Sequence, residues 1–206
     1  MNVKNIYCVG RNYAKHAKEL GNDLPSKPMI FSKPTHSLVT TNGQRVELPK
    51  NRGSIHYELE LVFQLNRSYE VGMSPEDCIS EMALGIDFTL RDEQEELKEK
   101  GHPWFVAKGF RNAALVTPFF PFEGIDKLNQ STFTLEINGQ KVQEGDPNEM
   151  IFNLGAILNY CSETAGLSAG DLLFTGTPEG VGEIQTGDEL KMYFNQENKG
   201  AVKIIK

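Results

Sequence analysis

The chain has 206 residues, 39% hydrophobic and 24% charged, a balance that builds one sizeable core and excludes a chain that stays disordered. Lys and Arg total 21 against 28 Asp and Glu, leaving a net charge of −7 that repels phosphate backbones, so no nucleic-acid partner is expected. No apolar run approaches the ~20 residues of a bilayer span, and the polar start lacks the apolar stretch of a secretory signal, so a cytoplasmic protein with no membrane partner is expected.

The opening reads as a strand from Ile6 to Val9, then Gly10, then Asn12 leading a helix from Tyr13 to about Leu20 that stops at Gly21. Pro25, Pro28 and Pro34 punctuate an extended segment, Met29 to Lys33, and Thr41-Asn42-Gly43 is a turn signal of the hairpin kind. After a second turn at Asn51 to Ser54, the stretch Ile55 to Leu65 alternates between an apolar side and a side carrying His56, Glu58, Glu60 and Gln64. Ser74-Pro75-Glu76-Asp77 has the signature of a helix start, predicting a helix to Met82, with strand returning from Leu84 to Phe88. Asp92 to Lys100 is a charged helical run whose acidic residues come first and lysines last, as the helix dipole prefers; it ends at Gly101, and Gly101 to Pro103 is a loop.

Leu135 to Val142 predicts a hairpin turning at Asn138-Gly139, and Met150 to Ala165 a last helix. Asp171 to Thr175 reads as strand, Thr175 to Gly182 packs three glycines and a proline into a loop, and Glu189 to Ile205 is strand-like. No repeat or linker divides residues 1–206, so a single α+β domain rich in strand is expected. Cys8, Cys78 and Cys161 are odd in number and far apart amid apolar or helical patterns, which predicts buried thiols and no disulfide framework.

Four constellations could carry chemistry. In His56-Tyr57-Glu58-Leu59-Glu60-Leu61 the strand period of two points Glu58 and Glu60 to one face, where two carboxylates repel unless a lysine, water or a hard cation lies between them; the plain alternative is a solvated strand face. Asp87, Arg91 and Gln94 are spaced i, i+4, i+7, so a helix starting at Asp87 would gather a third carboxylate and a guanidinium fork suited to a substrate carboxylate; otherwise they are a cap and a surface ion pair. His16 and Glu19 are at i, i+3, where the carboxylate can orient the imidazole as a general base, or the two form an exposed pair. The glycines of the 175–182 loop let backbone and the Thr177 hydroxyl approach a ligand, but the loop lacks the phosphate-binding pattern. Lys108, a lone cation among apolar neighbours, needs an anionic partner if buried.

Taken together and in this order, these pieces resemble the fumarylacetoacetate hydrolase family, specifically its short acylpyruvase-like members. The resemblance spans nearly the whole chain, from Cys8-Val9-Gly10-Arg11-Asn12-Tyr13 through Phe31-Ser32-Lys33-Pro34, the Glu58/Glu60 pair, Asp87-Phe88-Thr89 and the Trp104 to Lys108 segment to the loop ending at Gly182. It implies a β-rich α+β fold, a mixed β roll or sandwich with flanking helices, commonly a homodimer. It also implies Mg²⁺ or Mn²⁺ held by Glu58, Glu60 and Asp87, with Arg91, Gln94, Lys108 and Thr177 at positions that hold the oxo-acid end of a small substrate or lie beside the metal, and His16 and Glu19 forming a dyad on an N-terminal lid.

The expected reaction is hydrolysis of a 3-acylpyruvate to pyruvate and a carboxylic acid, with His16, oriented by Glu19, activating water and Lys108 stabilising developing charge. Two alternatives share the pyruvate-enolate chemistry: decarboxylation of oxaloacetate, and isomerisation or tautomerisation of a dicarboxylic oxo-acid.

Overall fold

The structure, a computed structural model, describes residues 2–19, 21, 23–41 and 43–206. Three sheets dominate it. The central one has eight strands, in the order Met29–Lys33, Ile6–Gly10, Leu172–Phe174, Leu59–Leu65, Ile79–Asp87, Ala114–Val116, Leu38–Thr40, with Phe120–Pro121 also pairing on Ile79–Asp87. Its pairings are antiparallel except 6–10 with 172–174 and 38–40 with 114–116. A five-stranded sheet runs Gln140–Gly145, Phe133–Ile137, Glu189–Phe194, Glu197–Ile205, Arg45–Glu47, and a small third sheet joins Gly182–Glu183, Ile55–Tyr57 and Thr89–Leu90. The described helices flank these sheets, and only Arg91–Glu99 and Leu154–Ala165 exceed six residues. This is the β-rich α+β architecture that the sequence predicts.

The central sheet is covered on both faces. Leu59, Leu61, Phe63 and Leu65 face the large apolar cluster, while Val62 joins a smaller one with Ile6, Cys8, Ala83, Leu172 and Phe174. Gly85 makes close packing possible, since a Cβ there would fall 2.5 Å from Val62 and 2.6 Å from Phe174. Emptying a fully buried site such as Phe63 by substitution with Ala costs about 3–5 kcal/mol.

Several expectations hold. The strands Ile6–Gly10 and Met29–Lys33, the helix Arg91–Glu99 and the hairpin with Asn138 and Gly139 at φ 53° and 78° lie where the sequence places them. The three cysteines are buried free thiols. The first helix is Ala14–Glu19, the anticipated end at Leu20 lying outside the described residues.

Other expectations are corrected. The helix expected over Ser74–Met82 is a single 3-10 turn, Pro75–Asp77, followed by the strand Ile79–Asp87. The start signal is real, but pairing along Leu59–Leu65 outweighs local helix preference. The strand expected over 55–65 divides at Glu58 into a piece of the small sheet and a piece of the central one. The last helix begins at Leu154 instead of Met150, because the Asn153 side chain accepts the Ala156 N–H at 2.9 Å and caps it there. Glu189–Ile205 is a hairpin, turning through Asn195 and Gln196 at φ 49° and 67° without glycine. The segments either side of Thr41-Asn42-Gly43 join different sheets and form no hairpin with each other; Asn42 itself lies outside the described residues.

Candidate active site

Strand register builds the floor of the site. Leu59 pairs with Ile86 and Glu60 with Gly85, and the Asp87 N–H donates to the Glu58 carbonyl at 2.8 Å. Glu58 therefore lies opposite Asp87, and with Glu60 two residues along, all three carboxylates share one face. All three are buried, and one oxygen from each lies within 4.8 Å of the others. The solvated-face alternative is thereby excluded.

Cations from three other elements close on this trio. Lys108, at the end of the short helix Phe105–Lys108, donates to Glu58 Oε2 at 2.7 Å, Asp87 Oδ2 at 2.8 Å and Thr89 Oγ1 at 2.6 Å. Arg91, at the start of its helix rather than one turn beyond Asp87, donates to Glu58 Oε1 at 2.5 Å, Gln94 Oε1 at 2.7 Å and His56 Nδ1 at 3.4 Å. The fork expected to face a substrate carboxylate is thus turned onto protein partners. Lys33, the buried end of the edge strand Met29–Lys33, has its Nζ 2.6 Å from Asp87 Oδ1 and also donates to the Lys108 carbonyl.

Burial and charge set the ionisation of the floor. Burial opposes a charged Glu58, but Lys108 and Arg91 outweigh it and hold that carboxyl far below the usual range. Glu60 goes the other way: burial, then Asp87 and Glu58, push it well above normal despite the Gly176 N–H donated at 2.7 Å. Burial works against a charged Lys108, and Asp87 and Glu58 more than compensate, keeping it an ammonium.

The rim is made of loops and one short helix. His16 is buried, its Nδ1 3.2 Å from Glu19 Oε2, so Nε2 is the nitrogen left for a ligand. Glu19 in turn accepts the Gly180 N–H at 3.1 Å, tying the Ala14–Glu19 helix to the glycine loop. In that loop Gly176 has φ 95°, and a Cβ there would fall 2.7 Å from the Asn12 Cβ, so only glycine lets its N–H reach Glu60. Thr177 is buried and accepts from Gln143 Nε2 at 2.9 Å, while Gln143 Oε1 accepts the Leu59 N–H at 2.9 Å, which links the loop to the carboxylate strand.

These pieces surround a small pocket that opens to solvent. Nine of its lining residues are the expected His16, Glu58, Glu60, Asp87, Arg91, Gln94, Lys108 and Thr177 together with Arg11, for which the sequence suggested no role. Glu19 is absent from the lining and reaches the pocket only through its contact with His16 Nδ1. Arg11 and Lys33 stand in segments that carry the family resemblance but receive no role from it, and Gln143 and Lys98 are not singled out in the sequence.

The trio fits a hard divalent cation. Its donors are all carboxylate oxygens, Asp87 Oδ1 is buried and accepts no aligned hydrogen bond, and the crowding that raises Glu60 is relieved by positive charge between the carboxylates. Glu58, Glu60 and Asp87 would be its ligands.

Residues 5–203 match the family described as fumarylacetoacetate (FAA) hydrolase C-terminal. The chain belongs to the fumarylacetoacetate hydrolase family. Among family relatives, it is 38% identical over 190 residues to the mitochondrial oxaloacetate decarboxylase of Dictyostelium discoideum, covering 91% of this chain and 87% of that protein. It is 37% identical over 198 residues to the oxaloacetate tautomerase YcgM of Escherichia coli, covering 94% and 89%. The crystal structure of fumarylpyruvate hydrolase from Pseudomonas aeruginosa in complex with Mn²⁺ and pyruvate superposes with a TM-score of 0.89 at 31% identity, covering 98% of this chain and 90% of that one. Among the described residues, no helix is long and apolar enough to cross a membrane.

Proposed function

We propose that this chain interconverts the enol and keto forms of oxaloacetate, with Mg²⁺ or Mn²⁺ held by Glu58, Glu60 and Asp87. The observation that carries the reading is that His16, with Nδ1 engaged by Glu19, lines the same small pocket as the carboxylate trio. The names of family relatives that act on oxaloacetate support the substrate, and they turn the reading away from acylpyruvate hydrolysis as the main activity.

The cation supplies Lewis-acid polarisation of the 2-oxo group when bound. His16 Nε2 takes a proton from C3 of the keto form and returns one in the reverse direction, while Glu19 keeps the imidazole in the required tautomer. Lys108, held as an ammonium beside Glu58 and Asp87, stabilises negative charge developing at the C2 oxygen. The Gln94 amide nitrogen is free of Arg91, which uses only its oxygen, and can donate to the same end of the substrate.

Acylpyruvate hydrolysis is the second reading, favoured by the likeness to a fumarylpyruvate hydrolase. The two are separated by adding Mg²⁺ or Mn²⁺ to stripped protein and following enol absorbance of oxaloacetate and pyruvate release from acetylpyruvate in parallel. Enol loss well above a cation-only blank is the expected result; pyruvate from acetylpyruvate with no effect on the enol would overturn the proposal.

A further inference from the structure

The cations around the carboxylate floor are mostly committed to protein. Lys33 and Lys108 pair with the trio, and each nitrogen of Arg91 has a protein acceptor. Two other cations line the same pocket, Arg11 and Lys98, and among the described residues neither side chain has an ion-pair or hydrogen-bond partner. Lys98 is four residues beyond Gln94 and seven beyond Arg91, on the helix face that both turn to the pocket. Arg11 approaches from the turn after the Ile6–Gly10 strand.

That turn has a second peculiarity. Arg11 has φ 57°, a conformation that glycine adopts freely and a long side chain does not. Asn12 holds the strained turn rigidly: its amide donates to the Thr175 carbonyl at 2.8 Å and the Phe152 carbonyl at 3.0 Å, and its oxygen accepts the Phe152 N–H at 2.8 Å. A strained position occupied by arginine, with its guanidinium unpaired at a pocket, marks a side chain that is used. Burial and the nearby Arg91 and Arg11 lower the Lys98 pKa, a crowding of like charges that an anion between them relieves.

We infer that Arg11 and Lys98 form a cationic subsite for the far carboxylate of a dicarboxylic oxo-acid, and that this subsite selects proton transfer over loss of CO₂. The inference rests on the oxaloacetate reading and deepens it. In tautomerisation a proton leaves C3 and another arrives at the C2 oxygen, and the C4 carboxylate stays an anion throughout. In decarboxylation the C3–C4 bond breaks, its electron pair stays on C3, and the C4 carboxylate departs as neutral CO₂. Ion pairing stabilises the starting carboxylate more than the departing group, so it slows that cleavage and leaves proton transfer unaffected.

The test uses Lys98→Met and Arg11→Gly, the latter removing the charge while suiting the backbone, so that loss of fold does not obscure the result. KM for oxaloacetate and for acetylpyruvate, which lacks the second carboxylate, is measured with Mg²⁺, together with pyruvate formed per enol consumed. Each variant is expected to raise KM for oxaloacetate about tenfold, to leave that for acetylpyruvate nearly unchanged, and to increase the pyruvate share. Equal changes for both substrates, or an unmoved KM for oxaloacetate, would overturn the subsite.

Binding separates this inference from the functional reading. Malate, a dicarboxylate, is expected to bind the wild type at least about tenfold more tightly than lactate, and either variant to erase the difference. If oxaloacetate is not turned over yet this preference appears, the subsite stands and the oxaloacetate reading falls. Absence of the preference in the wild type contradicts the subsite whatever the enzyme turns over.

Discussion

The floor of the pocket and its rim are held by different kinds of bond. Glu60 and Asp87 sit on two central strands whose register places them, with Glu58 at the break just before one of them, and two lysines and an arginine from other elements lock Glu58 and Asp87 at 2.5–2.8 Å. At the rim the functional side chains themselves are lightly held: His16 by Glu19 at 3.2 Å, Glu19 by the Gly180 N–H at 3.1 Å, with Arg11 and Lys98 unpaired among the described residues. On the proposed function, the floor holds charge in place and the rim handles protons and substrate.

Breaking the floor should therefore cost both fold and cation, whereas breaking the rim should cost turnover. Asp87→Ala strips Lys33 and Lys108 of a buried partner and is expected to destabilise the protein by about 3–5 kcal/mol in denaturant unfolding. The same variant should show no Mg²⁺ binding in a calorimetric titration. Wild-type stability with intact cation binding would erase the distinction between floor and rim.

His16→Ala sharpens the other half. Its tautomerisation rate should fall about 10²- to 10⁴-fold while Mg²⁺ affinity stays as in the wild type. Glu19→Gln keeps an acceptor for the Gly180 N–H but removes the charge beside the imidazole, and is expected to slow the reaction by about 10- to 100-fold. A Glu19→Gln rate equal to the wild type would show that His16 needs no orienting carboxylate.

The smallest effect is on pH. Burial, Arg91 and Arg11 lower the pKa of Lys98, while Glu95 and Glu58 act the other way. Malate affinity should be full below that lowered pKa and fall as pH rises through it, still below the ordinary 10.5. In the same window the native state binds fewer protons than the unfolded chain, so Lys98 makes stability rise as affinity falls. Opposite trends that vanish together in Lys98→Met identify the group; a malate affinity flat up to pH 10.5 contradicts the assignment.

Part of the floor was legible in the sequence because strand period is a strict geometry: alternation alone puts Glu58 and Glu60 on one face, whereas Asp87 reads as the start of a helix and joins them as a ligand through the family resemblance. Spacing and an isolated cation point to His16, Glu19 and Lys108, and the family resemblance gives them roles. Long-range pairing was not legible. Nothing local to Lys33 shows that Asp87 is its partner, and nothing local to Arg91 shows that Glu58, Gln94 and His56 occupy its guanidinium. The helix expected at Ser74 failed for the same reason, since its start signal is local and the strand pairing that overrides it is not. Arg11 stayed hidden because backbone strain is a property of the folded turn, and the Asn195–Gln196 turn because it lacks glycine.

The most direct test of the account is the decay of enol-oxaloacetate absorbance with Mg²⁺, followed for the wild type, for His16→Ala and for a protein-free blank. The account predicts decay much faster than the blank with the wild type, and decay close to the blank with His16→Ala despite unchanged Mg²⁺ binding. A His16→Ala protein as fast as the wild type would contradict the central claim that a proton passes through His16 above a cation held by the carboxylate floor.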